Sequence, residues 1–233
     1  MARQELAQKE VGMTAGEYLY QIGKGTVDAL PEWMLRTRPY GVYSIDLLNC
    51  DQNAIVTPSG RCGDVAVRWA RSAEERSAIA KVAASTNLQS WNGSTRRALV
   101  AWRSNEPIGV AWISLESFEE RSLGLRLELA TDEAWLHSVV VVPRHRKQGV
   151  YKRILWCAMQ TLRDEGCRRV LLGMSTGNEP SQRAHASVGA AKIGRIVAAR
   201  SCGLSFCIVS GLVACRSHRR AGLGRSIDLH VNR

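Results

Sequence analysis

Between Val142 and Lys152 the chain reads VPRHRKQGVYK. Arg144, Arg146, Lys147 and Lys152 share this turn with Gly149, and no acidic residue stands among them. The four β-branched residues Val139–Val142 lead into the turn, and an apolar series at Val150, Ile154, Ala158 and Leu162 leads out of it. The first pattern is a buried strand and the second, at i, i+4 spacing, one face of a helix. A helix that starts straight after a strand leaves several backbone N–H groups without intrahelical partners. Its aligned peptide dipoles add about half a positive charge at the same place, so the turn is built to hold an anion. Gly149 has no Cβ to keep a ligand away from the backbone. A phosphate or pyrophosphate fits this chemistry. The nucleoside-triphosphatase pattern GxxxxGK[ST] and the dinucleotide pattern GxGxxG are both absent.

The charge of the whole chain points the same way. Of the net +11, residues 136–233 hold 17 Lys and Arg against 4 acids, whereas residues 1–135 hold 15 against 17. An anionic partner is drawn to the C-terminal half. At 233 residues the chain is long enough for a core that needs neither disulfides nor metal. No run of apolar residues is long enough to span a membrane. The first residues carry acids and no apolar core of the kind a secretory signal needs. Seven cysteines are scattered with no CxxC pair, the pattern of reduced thiols. The expectation is a cytoplasmic protein without metal or membrane partner.

Around the turn, hydrophobic period and turn residues give an order of elements. Gly16–Leu30 reads as a helix stopped by Pro31, Tyr40–Leu48 as a strand, and Thr57–Gly60 as a linker. Alternation at Val65, Val67 and Trp69 marks another strand, and Ser72 caps a helix with acids in its first turn. Residues 97–114 read as a hairpin turning at Ser104–Pro107. Residues 123–129 and 135–142 follow as strands, then the helix from Gly149 with its C-cap at Gly166. A strand at 168–175, a helix from Pro180 and two closing strands at 191–200 and 205–214 complete the chain. The expected class is α/β (α+β), one core with a mostly antiparallel sheet and a central strand–helix–strand unit. Residues 1–60 are expected as an N-terminal extension, 61–215 as the folded domain and 216–233 as a basic tail.

The stretch Arg146-Lys147-Gln148-Gly149-Val150-Tyr151, after a hydrophobic strand and "VVP", resembles the R/Q-x-x-G-x-G/A motif of the GNAT superfamily of N-acetyltransferases. Downstream, NEPSQRAHASVGA is similar to that family's N-x-x-A-x-x-x-Y-x-x-x-G-F pattern, with Asn178, Ser181, His185 and Gly189 in register. The order of elements from about Asp64 to Cys215 matches the family's fold. The resemblance implies a central mixed, mostly antiparallel sheet flanked by helices and acetyl-coenzyme A as co-substrate. It implies that the six-residue loop and Lys152 hold the pyrophosphate. Backbone of Val139, Val140 and Val141 would pair with the pantetheine arm, and Asn178 and Ser181 would touch the coenzyme. The chain departs from the pattern in three places: Tyr151 replaces a small residue, Ala190 a phenylalanine, and His185 the tyrosine that protonates the departing thiolate.

Transfer to an amine needs a group that takes the nitrogen's proton and another that returns one to sulfur. His137 matches a histidine that serves as base in the arylalkylamine members of the superfamily, and an ordinary histidine pKa suits that role. A hydrogen-bonded structural histidine is the alternative reading. By i, i+2 alternation His137 is expected on the Val139/Val141 face. Glu128 and Glu133 are alternative bases acting through water, and His185 is the expected acid. Trp91 is placed where the family builds its acceptor site; core packing accounts for most of the other tryptophans. The expected activity is transfer of an acetyl group to a primary amine of a small molecule or protein. A GNAT fold without activity, or a basic module binding nucleic acid or another anion, is the competing reading. No helix-turn-helix, zinc or RNA-binding motif supports nucleic acid as partner. The extension leaves open a cover over the acceptor cleft or the contact of a homodimer.

Overall fold

The structure is a computed structural model, and it describes residues 36–49, 64–72, 95–201, 204–221 and 224–232 with the positions Glu75, Ser77, Ile79 and Val82. The helix expected at Gly16–Leu30, the linker at Thr57–Gly60 and Trp91 lie outside the described residues.

Two sheets make the fold. The first has eight strands in the order β10-β9-β1-β8-β7-β4-β3-β2. They are β1 (Arg36–Asp46), β2 (Val65–Trp69), β3 (Arg96–Arg103), β4 (Glu106–Ser114), β7 (Glu133–Val141), β8 (Arg169–Ser175), β9 (Ala191–Ser201) and β10 (Leu204–Gly211). The single parallel pair is β7 with β8, joined through helix α1 (Val150–Asp164); the other neighbours are antiparallel. The mixed, mostly antiparallel sheet expected from sequence is therefore present. A second sheet, β11-β12-β6-β5, unites β5 (Ser117–Glu120) and β6 (Leu125–Glu128) with β11 (Val213–Ala221) and β12 (Gly224–Val231).

Local sequence explains most of these elements. In the hairpin of β3 and β4 the two-residue turn falls at Ser104-Asn105, with Ser104 at φ 55°. Ser72 and Glu75 form a reciprocal cap: the Glu75 N–H donates to Ser72 Oγ (3.1 Å), and Glu75 Oε2 accepts from the Ser72 and Arg71 N–H groups (3.1 and 2.8 Å). Helix α1 buries Val150, Ile154, Leu155, Ala158, Met159 and Leu162, the apolar stripe expected at 3.6 residues per turn. Gly166, at φ 91°, ends it.

The stripe of α1 packs on one face of the large sheet, against Leu99, Ile108, Ala134, Leu136, Val170 and Leu172. On the opposite face the second sheet covers β1, β8 and β9, where Val42, Leu171, Ile196 and Ala198 meet Leu125, Leu127, Ile227 and Leu229. Helical Ile79 covers Val100, Val110 and Trp112 beside it.

Two parts of the chain differ from their expected roles. Residues 36–46, assigned by sequence to an extension ending at residue 60, form β1, a central strand paired along its length with β8 and β9. The sequence near β1 carries no motif, and its place in the sheet is set by partners more than 100 residues away. Residues beyond 215, expected as a tail, continue β11 and supply β12, whose Ile227 and Leu229 are fully buried. The segment 205–214, expected as one strand, breaks at Gly211 (φ 73°) and Leu212, where the chain leaves the first sheet for the second. A Cβ at Gly211 would run into the Ile193 carbonyl, so the turn requires glycine.

Candidate active site

Strands β7 and β8 stay together for four residues. Glu133–Leu136 pair with Arg169–Leu172, and there the pairing stops. From His137 to Val141 strand β7 is paired with β4 through His137, Val140 and Val141, and its edge towards β8 is open. A fork results, with unpaired backbone along one side.

Inside the fork β7 carries a bulge. Ser138 has φ 49°, and between Val110↔Val140 and Trp112↔His137 the partner strand advances two residues while β7 advances three. The extra residue reverses the faces. Val139 and Val141 pack in the cluster under α1, while His137 turns to the other side, with its ring 4.7 Å from that of Phe118. The alternation expected to keep His137 on the Val139/Val141 face is broken by that one residue.

The turn ahead of α1 is ordered by its own side chains. Pro143–His145 make a short 3₁₀ turn, and Lys147 and Gly149 take left-handed conformations at φ 59° and 85°. Gly149 is the N-cap, and no side chain caps the helix. The first intrahelical bond is from the Arg153 N–H to the Gly149 carbonyl (3.0 Å). The N–H groups of Val150, Tyr151 and Lys152 therefore have no intrahelical acceptor. The Arg103 guanidinium holds the turn from below through Gln148 Oε1 (2.8 Å), His145 Nδ1 (3.0 Å) and Asp64 Oδ2 (2.8 Å). Gln148 in turn donates to the Arg144 carbonyl (2.9 Å), and Arg146 Nε donates to the Val141 carbonyl (3.0 Å). Arg144 pairs with Glu106. The side chains of Gln148 and Arg144 thus hold the loop in shape, and Lys147 and Lys152 remain exposed on it.

Helix α2 (Glu179–Ala186) faces the start of α1. Asn178 caps it, its Oδ1 accepting from the Ser181 N–H (3.2 Å). His185, buried to 5% exposure, lies 2.5 Å through Nε2 from the Tyr151 hydroxyl and 2.6 Å through Nδ1 from the Ser181 carbonyl. The carbonyl can only accept, so Nδ1 carries the proton and Nε2 accepts from Tyr151. Burial lowers the His185 pKa and raises that of Tyr151. Two of the three departures from the sequence pattern thus meet as one part-buried hydrogen-bonded pair.

His137 is held neutral in the same way, with a nearby charge adding to the effect. Burial, and then the charge of Arg96, push its pKa down to about 3. Its Nε2 lies 3.3 Å from Ser114 Oγ and its Nδ1 3.2 Å from Ser138 Oγ. The two glutamates weighed as bases are committed elsewhere. Glu133 is buried, its Oε1 paired with Arg169 and its Oε2 accepting the Ala130 N–H (3.1 Å). Glu128, on β6, accepts from Arg216 of β11 (2.6 Å). Ser114 and Ser138 escaped the sequence reading; the polar pair His137-Ser138 interrupting an apolar strand was the available signal.

The family model of the GNAT acetyltransferases matches residues 65–190, more than half of the 233 residues. The chain belongs to the GNAT acetyltransferase family. No curated protein matches the sequence. Among solved structures, a functionally unknown conserved protein from Staphylococcus epidermidis superposes with a TM-score of 0.50 at 14% identity, covering 76% of this chain and 63% of its own. A tandem GNAT protein from the clavulanic acid biosynthesis pathway gives 0.50 at 14%, covering 71% and 54%. This chain thus spans less than two thirds of either protein. An aminoglycoside N-acetyltransferase in complex with coenzyme A is 18% identical with a TM-score of 0.43, over 53% of this chain and 90% of its own.

Within this GNAT chain the matched region holds β2–β8, α1 and α2, but not β1 or β12. Among the described residues no group of His, Cys, Asp and Glu could hold a metal ion, and no helix is long and apolar enough to cross a membrane.

Proposed function

We propose that the protein transfers an acetyl group from acetyl-coenzyme A to a primary amine. The observation that carries the reading is the uncapped start of α1 at Gly149, standing at the open edge of β7. The pyrophosphate of the coenzyme takes the N–H groups of Gly149, Val150, Tyr151 and Lys152, where the helix dipole favours negative charge. Arg146, Lys147 and Lys152 supply the surrounding positive field, and Gln148 acts through its hold on the loop. The pantetheine arm lies along Val139–Val141 as a further strand. Asn178 and Ser181 keep α2 beside it.

The amine nitrogen attacks the thioester carbonyl, its proton leaves, and sulfur departs with the C–S electron pair. His137, neutral and facing the fork, takes the nitrogen's proton. With a pKa near 3 it is a weak base at neutral pH, so its contribution falls at the low end of general base catalysis. His185 stands at the position of the family's acid tyrosine, and the Tyr151 hydroxyl bonded to it takes over the acid's role. Tyr151 keeps its proton at neutral pH and turns it from His185 Nε2 to the leaving thiolate. His185 holds the hydroxyl in place.

The test is release of free thiol from acetyl-coenzyme A on adding amines to the purified chain, with the acetylated amine identified by mass. Thiol release that depends on the amine supports the reading. A folded protein that neither binds the coenzyme nor releases thiol overturns it, and the +11 charge then directs the search to a polyanionic partner.

A further inference from the structure

On the face of the large sheet away from α1, a cavity of about 190 Å³ lies between the two sheets. It starts where the fork starts: His137 and Gly173, the first residues beyond the last β7–β8 pair, both line it. Its walls are Tyr40 and Val42 from β1, Phe118 from β5, Leu127 from β6, Ile196 from β9 and Leu229 from β12. Trp135 of β7 stacks on Phe118 at 5.3 Å, and its indole N–H is buried without an acceptor among the described residues. A Cβ at Gly173 would lie 2.9 Å from Trp135 Cζ2, so that glycine makes room for the indole. Glu120 is the one acid among the lining residues, its Oε1 accepting from Ser122 Oγ (2.5 Å); Tyr40, His137 and Ser138 are the other polar residues of the lining.

We propose that this cavity is the acceptor site, and that it takes a small primary amine with an apolar body the size of a single ring. The inference rests on the transferase reading above. Donor and acceptor then meet at Ser138 from opposite faces of the sheet. The C–N bond forms as the C–S bond breaks, the proton leaves nitrogen, and an amide and a free thiol result.

Three features select this class. A cavity of roughly 150 Å³ lined by apolar side chains holds one benzene ring, whereas drug-sized ligands occupy about 300–1,000 Å³. A linked set of sugar rings therefore exceeds the space. The lining is apolar apart from Tyr40, Glu120, His137 and Ser138, so a substrate polar along its whole length would bury groups without partners. One carboxylate matches one ammonium; a polyamine would leave further charges against Phe118, Leu127 and Leu229.

The full chain, with saturating acetyl-coenzyme A, is assayed for thiol release with 2-phenylethylamine, isopentylamine, spermidine and neamine. The kcat/KM for 2-phenylethylamine is expected to exceed that for spermidine or neamine by at least ~10-fold, the scale on which apolar pockets discriminate. Glu120→Gln and Val42→Phe should each raise the KM for 2-phenylethylamine by roughly 10-fold or more. Acetyl-coenzyme A affinity, read by calorimetry, should stay unchanged in both. Glu120→Gln serves as the check should Val42→Phe fail to fold. Preference for spermidine or neamine overturns the proposal and leaves the transferase standing, as does coenzyme binding with no thiol release from any of the four amines. Unchanged KM in folded variants overturns it too. Absence of coenzyme binding instead takes down the transferase reading, and the proposal with it.

Discussion

The two sides of the β7–β8 fork are built by different means. On the α1 side the candidate donor site is one continuous stretch, Val139 to Lys152, whose shape comes from backbone: an open strand edge, two left-handed residues and a helix start. On the opposite side the candidate acceptor site draws on residues 40, 42, 118, 127, 196 and 229, brought together by two sheets packing face to face. A backbone site can tolerate change in most of its side chains. The side-chain site cannot, and strands β1 and β12 that build it lie outside the region matched by the family model. The difference teaches that this chain can share its chemistry with a whole family and keep its choice of amine to itself.

The largest effect should come from removing residues 1–60. Because β1 sits between β8 and β9, the shortened chain should fail to fold, read as loss of the cooperative thermal transition. A folded, coenzyme-binding product would return these residues to the role of an appendage and separate the two sides completely. His137→Ala should lower kcat by about 10²-fold, at the low end of what a general base supplies. A variant within threefold of the parent would remove His137 from the chemistry.

Tyr151→Phe should lower kcat by roughly 10-fold or more, with acetyl-coenzyme A affinity unchanged, if the hydroxyl serves the leaving thiolate. Equal loss in kcat and affinity would make the Tyr151–His185 pair a structural clasp between the helices. The smallest effect is on stability. His137 and His185 both have folded-state pKa values below the ordinary 6.5, so the unfolded chain binds protons that the folded chain does not. Stability is then complete above pH 6.5 and falls as pH drops from there towards about 3. His137→Gln should flatten the dependence of Tm on pH in that window. An unchanged slope would contradict a histidine that the fold holds neutral.

How much of this was legible follows the same division. The loop at Arg146–Tyr151, the stripe of α1 and the caps at Ser72 and Asn178 depend on neighbours in sequence, and residue type alone reveals them. The bulge at Ser138 does not, because a one-residue insertion becomes visible only against the partner strand. That single residue decides which way His137 faces. The strand character of β1 is legible at Tyr40–Leu48, but its central place in the sheet is not, because β8 and β9 set it. Strand β12 lies in a stretch rich in Arg and Gly that reads as solvated, and it is a strand because β6 and β11 supply its partners. Glu128 and Glu133 look like available bases until Arg216 and Arg169, 88 and 36 residues away, are seen to hold them.

The central claim is that backbone at the start of α1 holds the coenzyme, and calorimetry tests it most directly. Acetyl-coenzyme A is titrated into the parent chain and into Gly149→Glu, which puts a Cβ on a left-handed residue and a negative charge against the phosphates. Micromolar binding by the parent, lost in a variant that keeps its thermal transition, is the predicted result. Equal binding by both, or none by a folded parent, would contradict the account.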